Sequence, residues 1–233
     1  MQKFSSYVLS GLLVASVLTP ALSFGDDRTI HLEIQPQGDN TADVHVGGDG
    51  TYSVVLAEVL ALRNDTTRTN DQIVAFITAN RDSLPPPYYL EAVRRTCVSA
   101  PDAALAWLTL YSIRARYDAM RCTDATAIDN VQATIGWVNF RECASHLPAG
   151  QASFNASLAK TLAEPDLFQS AASPWWICSG GSSLLNKLSS DVPEGASQGP
   201  QVTVADADWL RPESDWPAIQ QNLTDLVKKA LAQ

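Results

Sequence analysis

Four cysteines, Cys97, Cys122, Cys143 and Cys178, constrain this chain more than any other feature, because every one of them lies behind an N-terminal export signal. An even set of thiols in an oxidising compartment reads as two disulfides, so the fold must bring four positions together in pairs. The competing reading is a metal site, since Cys143 and His146 form a C-x-x-H that puts both side chains on one helical face. Cys97 and Cys122 make no second knuckle, and exported thiols oxidise, so neither metal nor cofactor is expected. His146 is read instead as a residue near a helix C-terminus.

The export signal occupies residues 1–25. Lys3 supplies a charged n-region and Tyr7 to Leu18 an uncharged apolar run of signal-peptide length. Pro20, Asp26, Asp27 and Arg28 end that run before it could span a bilayer. Small residues favour a cut before Phe24 or before Asp26, the second being preferred. No cysteine follows to carry a lipid, and no twin arginine precedes. A bacterial periplasmic location is the expectation, with secretion as the alternative, and no stable membrane insertion. Sequons at Asn64, Asn155 and Asn222 leave the glycoprotein alternative open.

Cleavage leaves roughly 208 residues, enough for one domain with a sizeable core. The formal charge of the whole chain is -9, and such acidity repels phosphate backbones and anionic lipid. Nucleic acid is therefore excluded as a partner, and another protein is expected.

The fold class read from periodicity is mostly α: an up-and-down bundle of about six to seven helices, with a short N-terminal hairpin or extended segment and two disulfide staples. Residues 26–50 form that segment, in which Ile30, Leu32, Ile34 and then Val44, Val46 alternate. Gly47, Gly48, Asp49 and Gly50 lack any phosphate-loop spacing and read as a connector. Residues 51–233 form a single helical domain. Its helices carry Val55, Leu56, Val59, Leu60 and Leu62; then Ile73 to Ile77; then Tyr89, Val93 and Cys97 behind the Pro85–Pro87 run. Pro101 starts the longest one, with Ala104, Leu108, Tyr111 and Ala115 on a stripe. Ile128, Val131, Ile135 and Val138 lead toward Cys143, and Phe154, Leu158 and Leu162 make the next helix. A Ser/Gly/Pro-rich loop at 189–201 precedes a last helix with Ile219, Leu223, Leu226, Val227 and Ala230 on its apolar face.

Short links make neighbouring helices antiparallel, which places Cys97 with Cys143 at one end of the bundle and Cys122 with Cys178 at the other. Helical-hairpin repeats are not supported, because Trp107 lacks the Gly and Tyr offsets of the tetratricopeptide class.

No catalytic residues emerge. His31, His45 and His146 assemble no triad by spacing, Ser179 to Ser183 contain no G-x-S-x-G elbow, and carboxylates such as Glu91 and Glu142 carry no spatial mark. Two groups are candidate partner-binding residues. Arg94, Arg95, Arg114, Arg116 and Arg121 concentrate basic charge, although Arg114 pairing with Asp118 and helix-end placement of Arg116 and Arg121 would explain most of it. Trp175 and Trp176 are the others, set against a core role beside Cys178. The expected function is an exported non-catalytic interaction domain: an inhibitor, immunity-type or assembly factor. A cell-envelope polymer hydrolase, marked by two carboxylates in a cleft near Trp175 or Trp176, and a small-ligand-binding helical domain, marked by a large apolar pocket, are the alternatives.

Overall fold

The computed structural model describes residues 28–38, 41–137, 143, 145–148, 150–189 and 201–233. The expected signal peptide at 1–25 and residues 190–200 of the expected loop lie outside the described residues. Strands β1 (Arg28–Gly38) and β2 (Thr41–Gly47) come first. Helices α1 (Tyr52–Arg63), α2 (Asn70–Ala79), α3 (Pro87–Thr96), α4 (Pro101–Met120), α5 (Asp129–Trp137) and α6 (Gln151–Leu162) follow, with a 3₁₀ turn at Ala125–Ile128 leading into α5. Then come α7 (Trp175–Cys178), α8 (Ser182–Ser189), β3 (Val202–Val204), α9 (Asp206–Trp209) and α10 (Trp216–Leu231).

Local chemistry sets most helix starts. Thr69 and Gln72 form a reciprocal capping box on α2, with Gln72 N–H donating to Thr69 Oγ1 at 3.2 Å and Thr69 N–H to Gln72 Oε1 at 2.9 Å. Pro87 and Pro101 occupy the first turns of α3 and α4, where a missing N–H costs nothing. The turn into α1 needs glycine: Gly48 has φ +132°, and a Cβ there would stand 2.9 Å from the Thr29 carbonyl oxygen. Thr51 turns its hydroxyl back to donate to the Gly48 carbonyl at 2.8 Å. Its place as a cap is taken by distant Ser179, whose Oγ accepts the Tyr52 N–H at 2.8 Å.

Helix α4 is the axis of the molecule. From Thr109 to Ala119 every residue except Arg116 is buried, and α3, α5, α6, α7 and α10 all pack against it. The expected apolar stripe is thus an understatement, for α4 is enclosed on nearly every side and its polar side chains must find partners in other elements.

The N-terminal segment belongs to the same core. β1 is central in the antiparallel order β2-β1-β3, with Leu32 opposite Val46 and Ile30 opposite Val202. Ile30, Leu32, Val46 and Val204 are all at most 3% exposed. The C-terminal segment wraps back to reach them. After β3, Thr123 N–H donates to the Trp209 carbonyl at 2.9 Å and Arg211 N–H to the Arg121 carbonyl at 2.8 Å, tying residues 209–211 to the end of α4.

Two corrections to the expected architecture follow. The described residues hold ten α-helices and a three-stranded sheet, where about six to seven helices and a short N-terminal hairpin or extended segment were expected. The additional helices α7, α8 and α9 are 4, 8 and 4 residues long, too short for a 3.6-residue period to register. β3 has only 3 residues and exists because β1 offers it an edge.

Cys97 bonds to Cys143 and Cys122 to Cys178, each with Cα atoms 5.4 Å apart. These are the two pairs expected from the helix order, and they point to an oxidising, extracytoplasmic compartment. The Cys143 sulfur is therefore a disulfide sulfur, while exposed His146 stands apart from it as a solvent-facing residue. Among the described residues no helix is long and apolar enough to cross a membrane.

The bonds close segments with sequence separations of 46 and 56 residues, and the chain-entropy relation assigns each about 4 kcal/mol. Replacing Cys122 and Cys178 together by alanine is expected to lower the unfolding free energy by about that amount, read from the urea midpoint of the oxidised protein.

Candidate functional site

The five arginines expected to form a binding patch are dispersed. Glu91, 0% exposed, gathers the first two: Arg94 donates to it from Nε and Nη2 at 2.9 and 2.7 Å, and Arg95 from Nε at 2.6 Å. Arg63 approaches the same carboxylate at 3.6 Å. Arg95 also donates from Nη2 to the Leu62 and Arg63 carbonyls at 3.1 and 2.9 Å, closing the C-terminus of α1.

Arg114 does not pair with Asp118, the expectation from their spacing. It points into the junction of the loop at residues 81–82 with the loop at residues 166–167, and all five of its guanidinium protons are used. Nε donates to the Leu167 carbonyl at 3.0 Å; Nη1 to the Arg81 carbonyl at 3.1 Å and the Tyr89 hydroxyl at 2.9 Å; Nη2 to Asp82 Oδ1 at 2.7 Å and the Asp166 carbonyl at 3.3 Å. Asp118 is bound instead to Arg121 and to the Trp176 indole N–H, the latter at 2.7 Å. Burial pushes the Asp118 carboxyl up, against Arg121 and Trp176, which favour its charged form. The Arg121 guanidinium lies between the Tyr117 and Trp216 rings, 4.4 and 4.7 Å from their centroids.

Trp175 and Trp176 are each 1% exposed. Their expected alternative as surface platforms is corrected by this burial: Trp176 stacks near Tyr52, and Trp175 tilts against Trp209 at 4.7 Å with Arg28 over both rings. A recess of about 110 Å³ beside Trp175 does carry two carboxylates, Asp124 and Asp208. It falls below the roughly 300 Å³ at which ligand pockets begin, and both carboxylates are helix caps. Asp208 accepts the Ala205 N–H at 3.3 Å. Asp124 accepts from the Thr126 N–H and hydroxyl at 2.9 and 2.7 Å, and from the Ser183 N–H at 2.7 Å. Gly181 passes so close that a Cβ would collide with the Asp124 carboxylate.

Only Arg116 of the cluster faces solvent, and it borders a cavity of about 470 Å³ between α4, α5, α6 and α10. Ile113, Leu158 and Leu223 are its buried floor, Ile135 and Phe154 its walls, and Leu226, 54% exposed, its open edge. Its polar lining residues are Ser112 and Arg116 of α4 and Gln132 of α5. The Ser112 hydroxyl donates to the Leu108 carbonyl at 2.8 Å, and Arg116 Nη1 to the Ser112 carbonyl at 3.0 Å. Among the described residues no carboxylate forms a salt bridge with Arg116. The cavity arises because α10 docks unevenly. Ile219 and Leu223 are buried, while Leu226 and Ala230 farther along the same apolar face stay exposed. Leu226 and Ala230 were read only as docking residues; the signal that marks them is an apolar face longer than the segment it buries.

Two expectations follow from these contacts. Arg114→Met removes a fully bonded guanidinium and orphans its acceptors, and is expected to cost about 3 kcal/mol in the urea midpoint, with Arg114→Lys restoring little of it because one ammonium cannot reach both loops. In acid, Asp65 and Asp124 set the direction. The Thr67 hydroxyl and Arg68 hold the Asp65 carboxyl well below the usual carboxylate range, and the Asp124 hydrogen bonds hold it down against the rise that burial would cause. Lowered folded values mean stability that is fully present above the unfolded carboxylate value and lost as pH falls through the folded ones. The urea midpoint should therefore fall below about pH 4, with a shallower acid limb in Asp124→Asn.

No protein-family model, no curated protein and no solved structure matches this chain.

Proposed function

We propose that this chain is a non-catalytic binding protein of an oxidising extracytoplasmic compartment, the bacterial periplasm, and that it holds a small apolar ligand between α4, α5, α6 and α10. One observation carries the reading: the cavity of about 470 Å³, apolar over its floor and walls, with polar lining residues from α4 and α5. That size and lining are those of small-molecule sites, in which apolar surface supplies affinity and a few polar groups fix orientation. The charged groups that chemistry would need are committed elsewhere, Glu91 to arginines and Asp118 to Arg121 and Trp176.

A second reading keeps the expected inhibitor, immunity-type or assembly role. The 54% exposure of Leu226 along the open edge favours it, since a partner helix could lay an apolar side chain there.

The test is titration with Nile red, a neutral apolar fluorophore. We expect one dye per chain, and at a hundredfold excess over Kd a stabilisation of about 2.7 kcal/mol. Ala230→Trp fills the cavity from its exposed edge; it should weaken uptake about tenfold or more, with a melting temperature of the free protein no lower than that of the unaltered chain. Undiminished uptake in Ala230→Trp would move the site elsewhere. Recovery of one stoichiometric protein from the native compartment, lost in the same variant, would favour the partner reading.

A further inference from the structure

We infer that the ligand of this cavity is a single-chain amphiphile with an anionic head, a medium-chain carboxylate, and that Arg116 is the residue that holds the head. The inference rests on the cavity being the binding site. It is carried by the juxtaposition of an apolar pocket, closed at its floor by Ile113, Leu158 and Leu223, with one cation among its lining residues.

The placement of Arg116 is unlike that of its neighbours in the same helices. Arg94 and Arg95 are bound to Glu91, Arg114 to Asp82 and Arg121 to Asp118. Arg116 uses Nη1 on the Ser112 carbonyl of its own helix. That bond leaves further N–H donors of a residue that lines the cavity for an acceptor. In a chain of formal charge -9, a cation without a carboxylate partner among the described residues is a local reversal of sign, and a guanidinium binds a carboxylate through paired, charge-assisted hydrogen bonds. Gln132 and Ser112 also line the cavity, so the polar end of a ligand is set by α4 and α5, and its apolar tail runs toward Phe154 of α6 and Leu223 of α10. A cationic head would meet the guanidinium with the wrong sign. A neutral head would forgo the ion pair.

Isothermal titration of the oxidised protein with dodecanoate and with dodecan-1-ol at neutral pH separates head from tail. We expect dodecanoate to bind about tenfold tighter than the alcohol, and lengthening the acid to tighten Kd by about fourfold per methylene until the cavity is full. Arg116→Gln should abolish the preference, bringing acid and alcohol to the same level, while Arg116→Lys keeps part of it. Raised salt should shrink the preference for the acid, because the head sits at an exposed cation. Equal binding of acid and alcohol by the unaltered protein would overturn the anionic head and leave the apolar site standing. A preference that survives Arg116→Gln would overturn the role of Arg116. Failure of both ligands to bind, with Nile red also excluded, would overturn the cavity as a binding site.

Discussion

Arg114 sits on the most enclosed stretch of α4, and four of its five hydrogen bonds join that helix to two loops that also contact each other, the fifth going to Tyr89 of α3. The segment around Arg81 and Asp82 connects α2 to α3, and the segment around Asp166 and Leu167 follows α6. Both are irregular, so their carbonyls would be costly to bury without donors. One guanidinium supplies them. The Tyr89 hydroxyl extends the arrangement, accepting from Arg114 at 2.9 Å and donating to the Arg81 carbonyl at 2.5 Å. On the outer side Arg81 binds Glu164 at 2.9 Å and Asp166 at 2.6 Å, a partly exposed pair of contacts that adds to the register more than to the stability. An apolar residue in place of Arg114 would pack against α4, but it would leave the two loops unsatisfied.

The C-terminal end of α4, beyond Arg114, is held by covalent and aromatic means. The Cys122–Cys178 bond fixes α7 beside it, the Asp118–Trp176 hydrogen bond repeats that link, and Arg121 receives Trp216 from the first turn of α10. Residues 209–211 then cross the same point by backbone hydrogen bonds. The last thirty or so residues are thus an integral layer of the core; Val204 and Leu223, each 2% exposed, lie in the same cluster as Ile30 and Tyr111.

Much of this was legible in the residues themselves where the determinant is local. Pro87 and Pro101 announce helix starts through a fixed φ, and the helix lengths between cysteines carry the pairing of Cys97 with Cys143 and Cys122 with Cys178. What escaped depends on partners far along the chain. β3 is a strand because β1 is beside it, and Ser179 is a cap because Tyr52 lies across from it. Arg114 has an acid four residues ahead, a spacing that invites the pair with Asp118, yet burial on both sides redirects it to acceptors whose positions only the packed fold defines. The cavity had a local mark that spacing could have revealed. Arg94, Arg95, Arg114 and Arg121 each have an acid three or four residues away, whereas Arg116 is flanked at those offsets by Ser112, Ile113, Ala119 and Met120.

The open state of the cavity is itself a constraint on what the protein does. A sealed void lined by aliphatic side chains destabilises in proportion to its volume, by about 24 cal/mol per Å³, so one of about 470 Å³ would cost about 11 kcal/mol. That approaches the whole stability of an ordinary domain, roughly 5 to 15 kcal/mol. The fold avoids the full cost because the cavity is open, with Leu226 of α10 facing water while Val227 and Leu231 pack against the core. Under the proposed binding role, apolar surface kept open to water at the meeting of four helices, next to a guanidinium with no carboxylate salt-bridge partner among the described residues, is the resting half of a binding equilibrium that an occupant would complete.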